Sequence, residues 1–491
     1  MPDLSLGDLV PEAGSAEAAL PVTGLAADSR AVRPGMAFLA VPGSRADGAA
    51  FVADAVRAGA VAVIGEGARP AGIDPAVAYV QVADARRALS LAASRLHPGQ
   101  PGTVVAVTGT SGKTSVAEFT RQLFGALGHR AASLGTLGLI TAERATYGSL
   151  TTPGPLQLHA TLEKLAASGV THLAMEASSH GIDQRRLDGV RLAAGAFTNL
   201  GRDHLDYHAT LDEYLAAKLR LVEALLPDGA TLVVNADGAR AEWFTEAAAR
   251  RGLPVITTGR AGEGLKLLGT RQEGFAQRLG ILAQPGRGLP FEVTVDLPLV
   301  GGFQVENALV AAGLVLAVEG DDAAPEVLQA LAGLRGVPGR LERVGEVAGA
   351  LCVVDYAHKP EALAEVLAAL RPFATGRLVC VFGCGGDRDR GKRPLMGRIA
   401  AEGADRVIVT DDNPRTEAPA SIRAAVLEAA PNAEEIGDRR EAIRAAVAGL
   451  EPGDVLVVAG KGHETGQIVG DRTLPFSDQD EIRAAIGERT G

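Results

Sequence analysis

The amino-acid sequence predicts an α/β protein of three domains: a smaller N-terminal α/β domain, a central doubly wound sheet and a C-terminal Rossmann-like sheet. Three observations carry this reading. Residues 104–115 read VVAVTGTSGKTS, an apolar strand-type run that feeds a Gly-rich turn and then a helical pattern. Through the middle of the chain, the apolar runs Thr171–Met175, Ala193–Thr198 and Thr231–Val234 each end in polar residues, Glu176, Asn199 and Asn235. In the last third four further runs, Leu351–Val354, Leu378–Phe382, Arg406–Thr410 and Asp454–Ala459, alternate with helical stretches and again end in polar clusters. Strands of a parallel sheet present such ends along one edge, where ligands bind.

A length of 491 residues allows about three domains at roughly 150 residues each. Residues 1–97 hold short strand-like runs, Met36–Val41, Val61–Ile64 and Ala78–Val82, before the linker-like His97-Pro98-Gly99-Gln100-Pro101-Gly102. The central domain is expected over 98–337 and the C-terminal domain over 338–491, opening near Val337-Pro338-Gly339-Arg340. A net charge of −11 argues against a nucleic-acid backbone as partner. Cys352 and Cys380 sit in apolar strands, where buried thiols are ordinary, whereas Cys384 lies in a Gly-rich turn near which a ligand could sit. The start, MPDLSLGDLVPEAG, has no basic segment of a secretory signal, and the longest apolar stretch, Leu309–Val318, is too short to cross a bilayer. The expectation is a cytoplasmic protein with no membrane insertion.

The turn Gly109-Thr110-Ser111-Gly112-Lys113-Thr114 suits phosphate. Backbone N–H groups of the turn and helix start point at an anion, Lys113 adds a point charge, and the Thr114 hydroxyl can reach magnesium. The common nucleotide loop has a Gly where this chain has Val107, so this is a shorter form. The helical face Val116, Phe119, Leu123, Phe124 and Leu127 follows, with Gly128 as its stop. The alternative is a Gly-rich strand-to-helix turn without ligand. The strand before it and the helix after it make the central sheet P-loop ATPase-like.

At the other strand ends, Glu176 is placed to hold magnesium beside Thr114, or to serve as a helix N-terminal acid. Ser178-Ser179-His180 can be simple capping. His204 reads as a site residue or ligand because it follows a second strand of the same sheet. Lys218, in an apolar helical stretch, reads from the residues alone as a snorkelling surface lysine. In the last domain Arg388, Arg390, Lys392 and Arg393 share one loop, and Asp412, Asn413 and Arg415 share another. Loops of both signs suit a zwitterion such as an amino acid, the alternative being solvated charge runs. No guanine-specifying Asn-Lys-x-Asp stretch is present, which disfavours a GTPase.

Taken together the motifs resemble the Mur ligases, ATP-dependent amide-forming enzymes of peptidoglycan precursor synthesis, over essentially the whole chain. The resemblance rests on the short loop 109–114, on Met175-Glu176-Ala177-Ser178-Ser179-His180-Gly181, and on Asn199-Leu200-Gly201-Arg202-Asp203-His204-Leu205-Asp206-Tyr207-His208. Asp355-Tyr356-Ala357-His358-Lys359-Pro360 and Gly460-Lys461-Gly462-His463-Glu464 complete it. The family often has Asn at Ser111 and usually has Asn at Gln304. The pattern is most similar to the members that add a third amino acid to UDP-N-acetylmuramoyl-L-alanyl-D-glutamate.

That resemblance implies ATP contacts at Gly109, Thr110, Ser111, Gly112, Lys113, Thr114, Ser115, Asn307, Arg340 and Asp355. It implies magnesium held by Thr114, Glu176, His204 and Lys218, the last carrying a CO2-derived carbamate, which overrides the snorkelling reading. Lys113, Lys218 and His204 are the implied catalytic residues. The nucleotide-sugar peptide would meet Ala27, Ser29, Ser44, Arg45, Ala46, Thr151, Thr152, Ser178, Gln184 and Arg186. Asp412-Asn413-Pro414-Arg415, with Arg388, Gly460 and Glu464, would hold meso-diaminopimelate, because Arg415 grips a far carboxylate that lysine lacks. The rivals are ligation of L-lysine or L-ornithine, another superfamily member, or a non-catalytic nucleotide-binding regulator. For the base that takes the amine proton, His204 and His358 both qualify. The substrates are small molecules and the expected state is a monomer.

Overall fold

The computed structural model describes residues 4–43, 47–146, 148, 150–201, 207–284, 286 and 288–490. The chain forms two compact units, Met1–Lys266 with Gln284–Gly288 and Val310–Val327, and Leu267–Ala283 with Leu289–Leu309 and Leu328–Gly491.

The first unit opens with a four-stranded parallel sheet in the order β1 (Leu25–Ala26), β2 (Ala37–Leu39), β3 (Ala62–Gly65), β4 (Ala78–Gln81). Alternate residues face opposite ways along a strand. Ala37 and Leu39 therefore join Leu6, Leu9, Ile64 and Leu89 on one side, while Phe38 and Val63 join Val32 and Val52 on the other. Both faces are buried, as a parallel sheet requires.

The central sheet of this unit holds β5 (Thr103–Thr108), β6 (Ala131–Gly135), β7 (Gly138–Ile140), β8 (Ala145–Thr146), β9 (His172–Glu176), β10 (Ala194–Phe197), β11 (Thr231–Asn235) and β12 (Val255–Gly259), ordered β12-β11-β10-β5-β9-β6-β7-β8. The run from β12 to β6 is parallel, and β7 and β8 extend it antiparallel. Thr108, Glu176, Phe197 and Asn235 thus end their strands at one edge. The sequence reading ended the strand at Met175; Glu176 is instead its last residue, in register with Val107.

His159, on the helix Pro155–Ala167, is 2% exposed, and burial pushes its pKa down to about 4. A histidine kept neutral in the fold but free to protonate when unfolded stabilises fully above its ordinary value near 6.5, and that stability fades as pH falls toward 4. At about 1.4 kcal/mol per pH unit, up to about 3 kcal/mol is at stake. We expect thermal unfolding midpoints to fall between pH 6.5 and 4, and His159→Gln to flatten the slope; an unchanged slope would remove this account.

In the second unit β13 (Leu265–Glu273), from its third residue on, β14 (Ala276–Ala283) and β15 (Phe291–Leu297) form a ribbon. The last third folds as β16 (Glu342–Val347), β17 (Ala350–Asp355), β18 (Leu378–Phe382), β19 (Arg406–Val409), β20 (Glu434–Glu435) and β21 (Val455–Ala459), in the order β16-β17-β21-β18-β19-β20. Every pair except β16–β17 is parallel, so the ends of β17, β18, β19 and β21 share one edge. A hairpin of β22 (Gly466–Val469) and β23 (Arg472–Pro475) follows.

One sequence expectation changes here. The apolar stretch 309–318 belongs to a longer helix, Gly302–Glu319, long and apolar enough by length and composition to cross a membrane; 67% of it is buried inside the protein, as in a core helix. The Cys384 thiol is buried and lies 3.7 Å from the Met396 sulfur.

Candidate active site

The turn after β5 is shaped by its glycines. Gly109 has φ +153°, and a Cβ there would lie 1.9 Å from Thr198 Oγ1. Gly112, at φ +86°, precedes the helix Lys113–Ala126, a left-handed conformation that glycine adopts without steric cost. Thr198 Oγ1 donates to Ser111 O at 2.6 Å, and Asn199 accepts from Ser111 N at 3.0 Å and Thr110 N at 2.8 Å. The end of β10 therefore clamps the turn. Lys113 Nζ donates to Gly109 O at 2.8 Å and Thr110 O at 2.7 Å, folding its charge back over the loop. Thr114 and Ser115 are buried in the first helical turn.

Lys218 is not a surface lysine. It is 1% exposed, on the helix Leu211–Arg220, because Tyr214, Leu215 and Leu219 bury the same helix. Its Nζ donates to Gly109 O at 2.7 Å and lies 4.2 Å from the centre of the Tyr214 ring. Tyr214 OH lies 3.2 Å from Thr110 Oγ1, so one helix meets both ends of the Gly109–Thr110 step.

Glu176 is 1% exposed and is held by Thr136, whose N–H donates to Oε1 at 2.7 Å and whose hydroxyl lies 3.2 Å from Oε2. This is not helix capping: Ser178 caps the next helix, Ser179–Asp183, accepting from Gly181 N at 3.1 Å. Thr136 also meets Thr151, Oγ1 to Oγ1, at 3.1 Å. Thr152 donates to Glu176 O at 2.9 Å and accepts from the Ser178 hydroxyl at 3.0 Å. Arg186 donates to Thr152 O and to Gln184 Oε1, both at 2.7 Å, and Gln184 donates to Tyr207 OH at 3.1 Å. Gln184 and Arg186 then line a cleft of about 780 Å³ shared with Ala27, Ser29, Arg30 and Arg86.

In the second unit Gln304, where the family pattern differs, donates to Arg340 O at 2.9 Å and accepts from Asn307 Nδ2 at 3.0 Å. Asp355, at the end of β17, accepts Leu341 N–H and Ala357 N–H, each at 2.8 Å. Burial raises its pKa, which the Arg340 charge opposes. The Arg340 guanidinium sits 4.9 Å from the Tyr356 ring centre.

The charged loops divide. Arg390 and Arg393 both pair with Glu417, and Lys392 donates to His358 O at 2.8 Å, so three of the four cations hold the loop itself. Arg388 is exposed. Asn413 is buried; it donates to Glu464 Oε2 at 2.9 Å and accepts from Lys461 Nζ at 3.0 Å and Ile468 N at 2.9 Å. Arg415 has φ +51° and donates to Gly386 O at 2.8 Å. Gly460, at φ +114°, brings its backbone close to Asp412: a Cβ there would meet Oδ2 at 2.8 Å.

Three family models match the chain: the Mur ligase family catalytic domain at residues 21–97, the Mur ligase middle domain at 107–315, and the Mur ligase glutamate ligase domain at 339–462. UDP-N-acetylmuramoyl-L-alanyl-D-glutamate--2,6-diaminopimelate ligase of Bradyrhizobium diazoefficiens is 57% identical, covering 99% of this chain and 100% of its own. The chain belongs to the Mur ligase family. The ligase of the same name from Brucella melitensis is 57% identical over 97% of this chain and 96% of its own. A solved structure of a ligase of that name superposes with a TM-score of 0.74 at 34% identity, covering all of both chains.

In this Mur ligase the structure brings Lys113, Lys218 and Thr110 to one carbonyl-lined turn, and links Thr151, Thr152, Ser178, Gln184, Arg186 and Glu176 through shared hydrogen bonds. His204, Ser44, Arg45 and Ala46 lie outside the described residues. The sequence reading missed Thr136, which holds Glu176, and Lys461, which is wholly buried under Asn413. A threonine just after a strand carries little signal; a lysine between two glycines at a strand end is stronger. Because a methyl at Gly109 collides with Thr198, Gly109→Ala is expected to weaken ATP binding by calorimetry at least about tenfold. Unchanged affinity would mean the loop relaxes freely.

Proposed function

We propose that the chain joins meso-diaminopimelate to the D-glutamyl carboxylate of UDP-N-acetylmuramoyl-L-alanyl-D-glutamate, driven by ATP and forming ADP; the relatives are named as ligases of that nucleotide peptide and 2,6-diaminopimelate. The γ-carboxylate of the substrate attacks the γ-phosphate of ATP and ADP leaves; the amine then attacks the acyl carbon, gives up a proton, and inorganic phosphate leaves as the amide forms. Lys113, already folded over the turn by two backbone carbonyls, neutralises charge on the transferring phosphate. The buried Glu176 carboxylate and the Thr114 hydroxyl are hard oxygen donors and fit magnesium. Magnesium, when bound, neutralises phosphate oxygens. Carbamylation of Lys218 would give that set another carboxylate-like donor, with His204 completing it.

The cleft lined by Ala27, Ser29, Gln184 and Arg186 takes the nucleotide sugar, with Thr151, Thr152 and Ser178 aligning its peptide. By the family resemblance, Asn307, Arg340 and Asp355 are further nucleotide contacts. His358 is our candidate for taking the amine proton. Burial lowers its pKa, so the ring is neutral, and Nδ1 lies 2.8 Å from Tyr356 O, so it donates and leaves the Nε2 lone pair. Residues 1–97, 98–337 and 338–491 serve as the uridine-binding, ATP-binding and amino-acid-binding domains of a cytoplasmic monomer.

One observation supports diaminopimelate above lysine: Arg415 is held by its strained backbone and by Gly386 O, beside an Asn413–Glu464 pair. Such a site offers a cation for a distal carboxylate and an anion for an ammonium. Phosphate release should require diaminopimelate and fail with L-lysine or L-ornithine. Arg415→Ala should raise KM for diaminopimelate about 10- to 100-fold, the worth of a hydrogen-bonded charge pair. Release with lysine by the native enzyme would overturn the assignment of Arg415 and leave the ligase standing.

A further inference from the structure

We propose that the first unit carries a second cation site, formed by His129, His172 and Glu319, that takes a zinc-class transition ion. His129 follows the helix Lys113–Ala126, His172 opens β9, and Glu319 ends the helix Gly302–Glu319. Both imidazole Nε2 atoms converge on one oxygen, at 3.1 Å from His129 and 3.4 Å from His172 to Glu319 Oε1, and the three ligand atoms all lie within 4.8 Å of one another. A tetrahedral zinc ion with bonds of about 2.0–2.1 Å separates its ligands by roughly 3.3 Å, which the two nitrogen-to-oxygen spacings match. The rings stack at 3.8 Å and 29°, so one imidazole must rotate out of the stack for both Nε2 lone pairs to meet one ion.

The surroundings fit an ion as well. Thr171 Oγ1 lies 2.9 Å from His172 Nδ1, an outer hydrogen bond of the kind that orients a ligating imidazole. Phe124 walls one side, its ring centre 4.6 Å from that of His172. The side chains of His129 and Glu319 remain 29% and 23% exposed, which leaves an approach for the ion and room for water as a further ligand. Two imidazoles and one carboxylate favour zinc, with cobalt and nickel as surrogates, over the all-oxygen preference of magnesium. The site is separate from the magnesium donors: His172 and Glu176 stand at opposite ends of β9, about 13 Å apart at 3.3 Å per residue. An ion here ties a turn, a strand start and a helix end together, and so acts on stability.

The test is a Co2+ titration of the full chain, stripped with chelator and desalted, in excess Mg2+. The expected result is one equivalent with the visible bands of a four- or five-coordinate ion, and a thermal midpoint that rises with added Zn2+. His129→Ala should lose about 100-fold or more in Co2+ affinity, beyond the effect of an outer-shell change, while phosphate release under Mg2+ stays unchanged. Glu176→Gln should leave the bands in place, and Glu319→Gln, checked for fold by circular dichroism, replaces the alanine variant if that one does not fold. Absence of bands in the native protein, or bands of equal affinity in the folded His129 or Glu319 variant, overturns the proposal.

Discussion

Replacing Lys218 with alanine is expected to lower kcat at least about 10³-fold, with part of the loss recovered by small carboxylates such as acetate. The fully buried side chain reaches Gly109 O at 2.7 Å, so its loss leaves that carbonyl with fewer donors and the phosphate turn less fixed. Removing one preorganised polar group at a developing charge costs about 10² to 10³ in rate, and under the proposed carbamate role the loss of a metal ligand adds to it. The rescue separates the two effects. If Lys218 acts only as a cation on the turn, an added carboxylate does nothing or inhibits. If it acts as a carbamate, the carboxylate replaces the missing oxygen donor. Full activity in the folded alanine variant would end both roles.

Asp478→Ala should destabilise the protein by about 3–5 kcal/mol, the usual consequence of leaving a buried charge without its partner. Arg439 and Asp478 are both wholly buried and joined by two bonds of 2.7 Å. The same guanidinium donates to Ala459 O at 3.0 Å and Asp411 O at 3.4 Å, the carbonyls from which the loops bearing Gly460 and Asp412 depart. Any variant that still folds should therefore show a raised KM for the amino acid before any change for ATP. An Arg439→Met, Asp478→Leu double substitution should recover much of the stability, because an apolar pair has no charge to desolvate, but not the KM. An unfolding free energy from urea titration for Asp478→Ala within about 1 kcal/mol of the native value would refute this role for the pair.

Much of this was legible in the chain. The strand, turn and helix at 104–127 are where the apolar run, the glycines and the helical face put them, since each is a local signal. The strand ends that carry Asn199, Asn235 and Asp355 were legible for the same reason. Burial was not. Lys218 lies in an apolar helical stretch that equally fits a snorkelling side chain, and only its packing against the Gly109 carbonyl decides. The loop Arg388–Arg393 looked like one cationic surface, yet Glu417, distant in sequence, draws Arg390 and Arg393 into the fold. Thr136 and Lys461 act through partners 40 and 48 residues away, a separation that no local pattern records.

The three cysteines have a practical consequence. All are buried, and burial pushes their thiols up to about 12 for Cys352 and Cys380 and about 11 for Cys384, so almost no thiolate is present at neutral pH. Alkylating reagents and mild oxidants should pass this protein by. A single cysteine introduced on the surface could then carry a fluorophore or spin label without first removing the native ones, so substrate-driven movement could be followed in the otherwise unaltered enzyme.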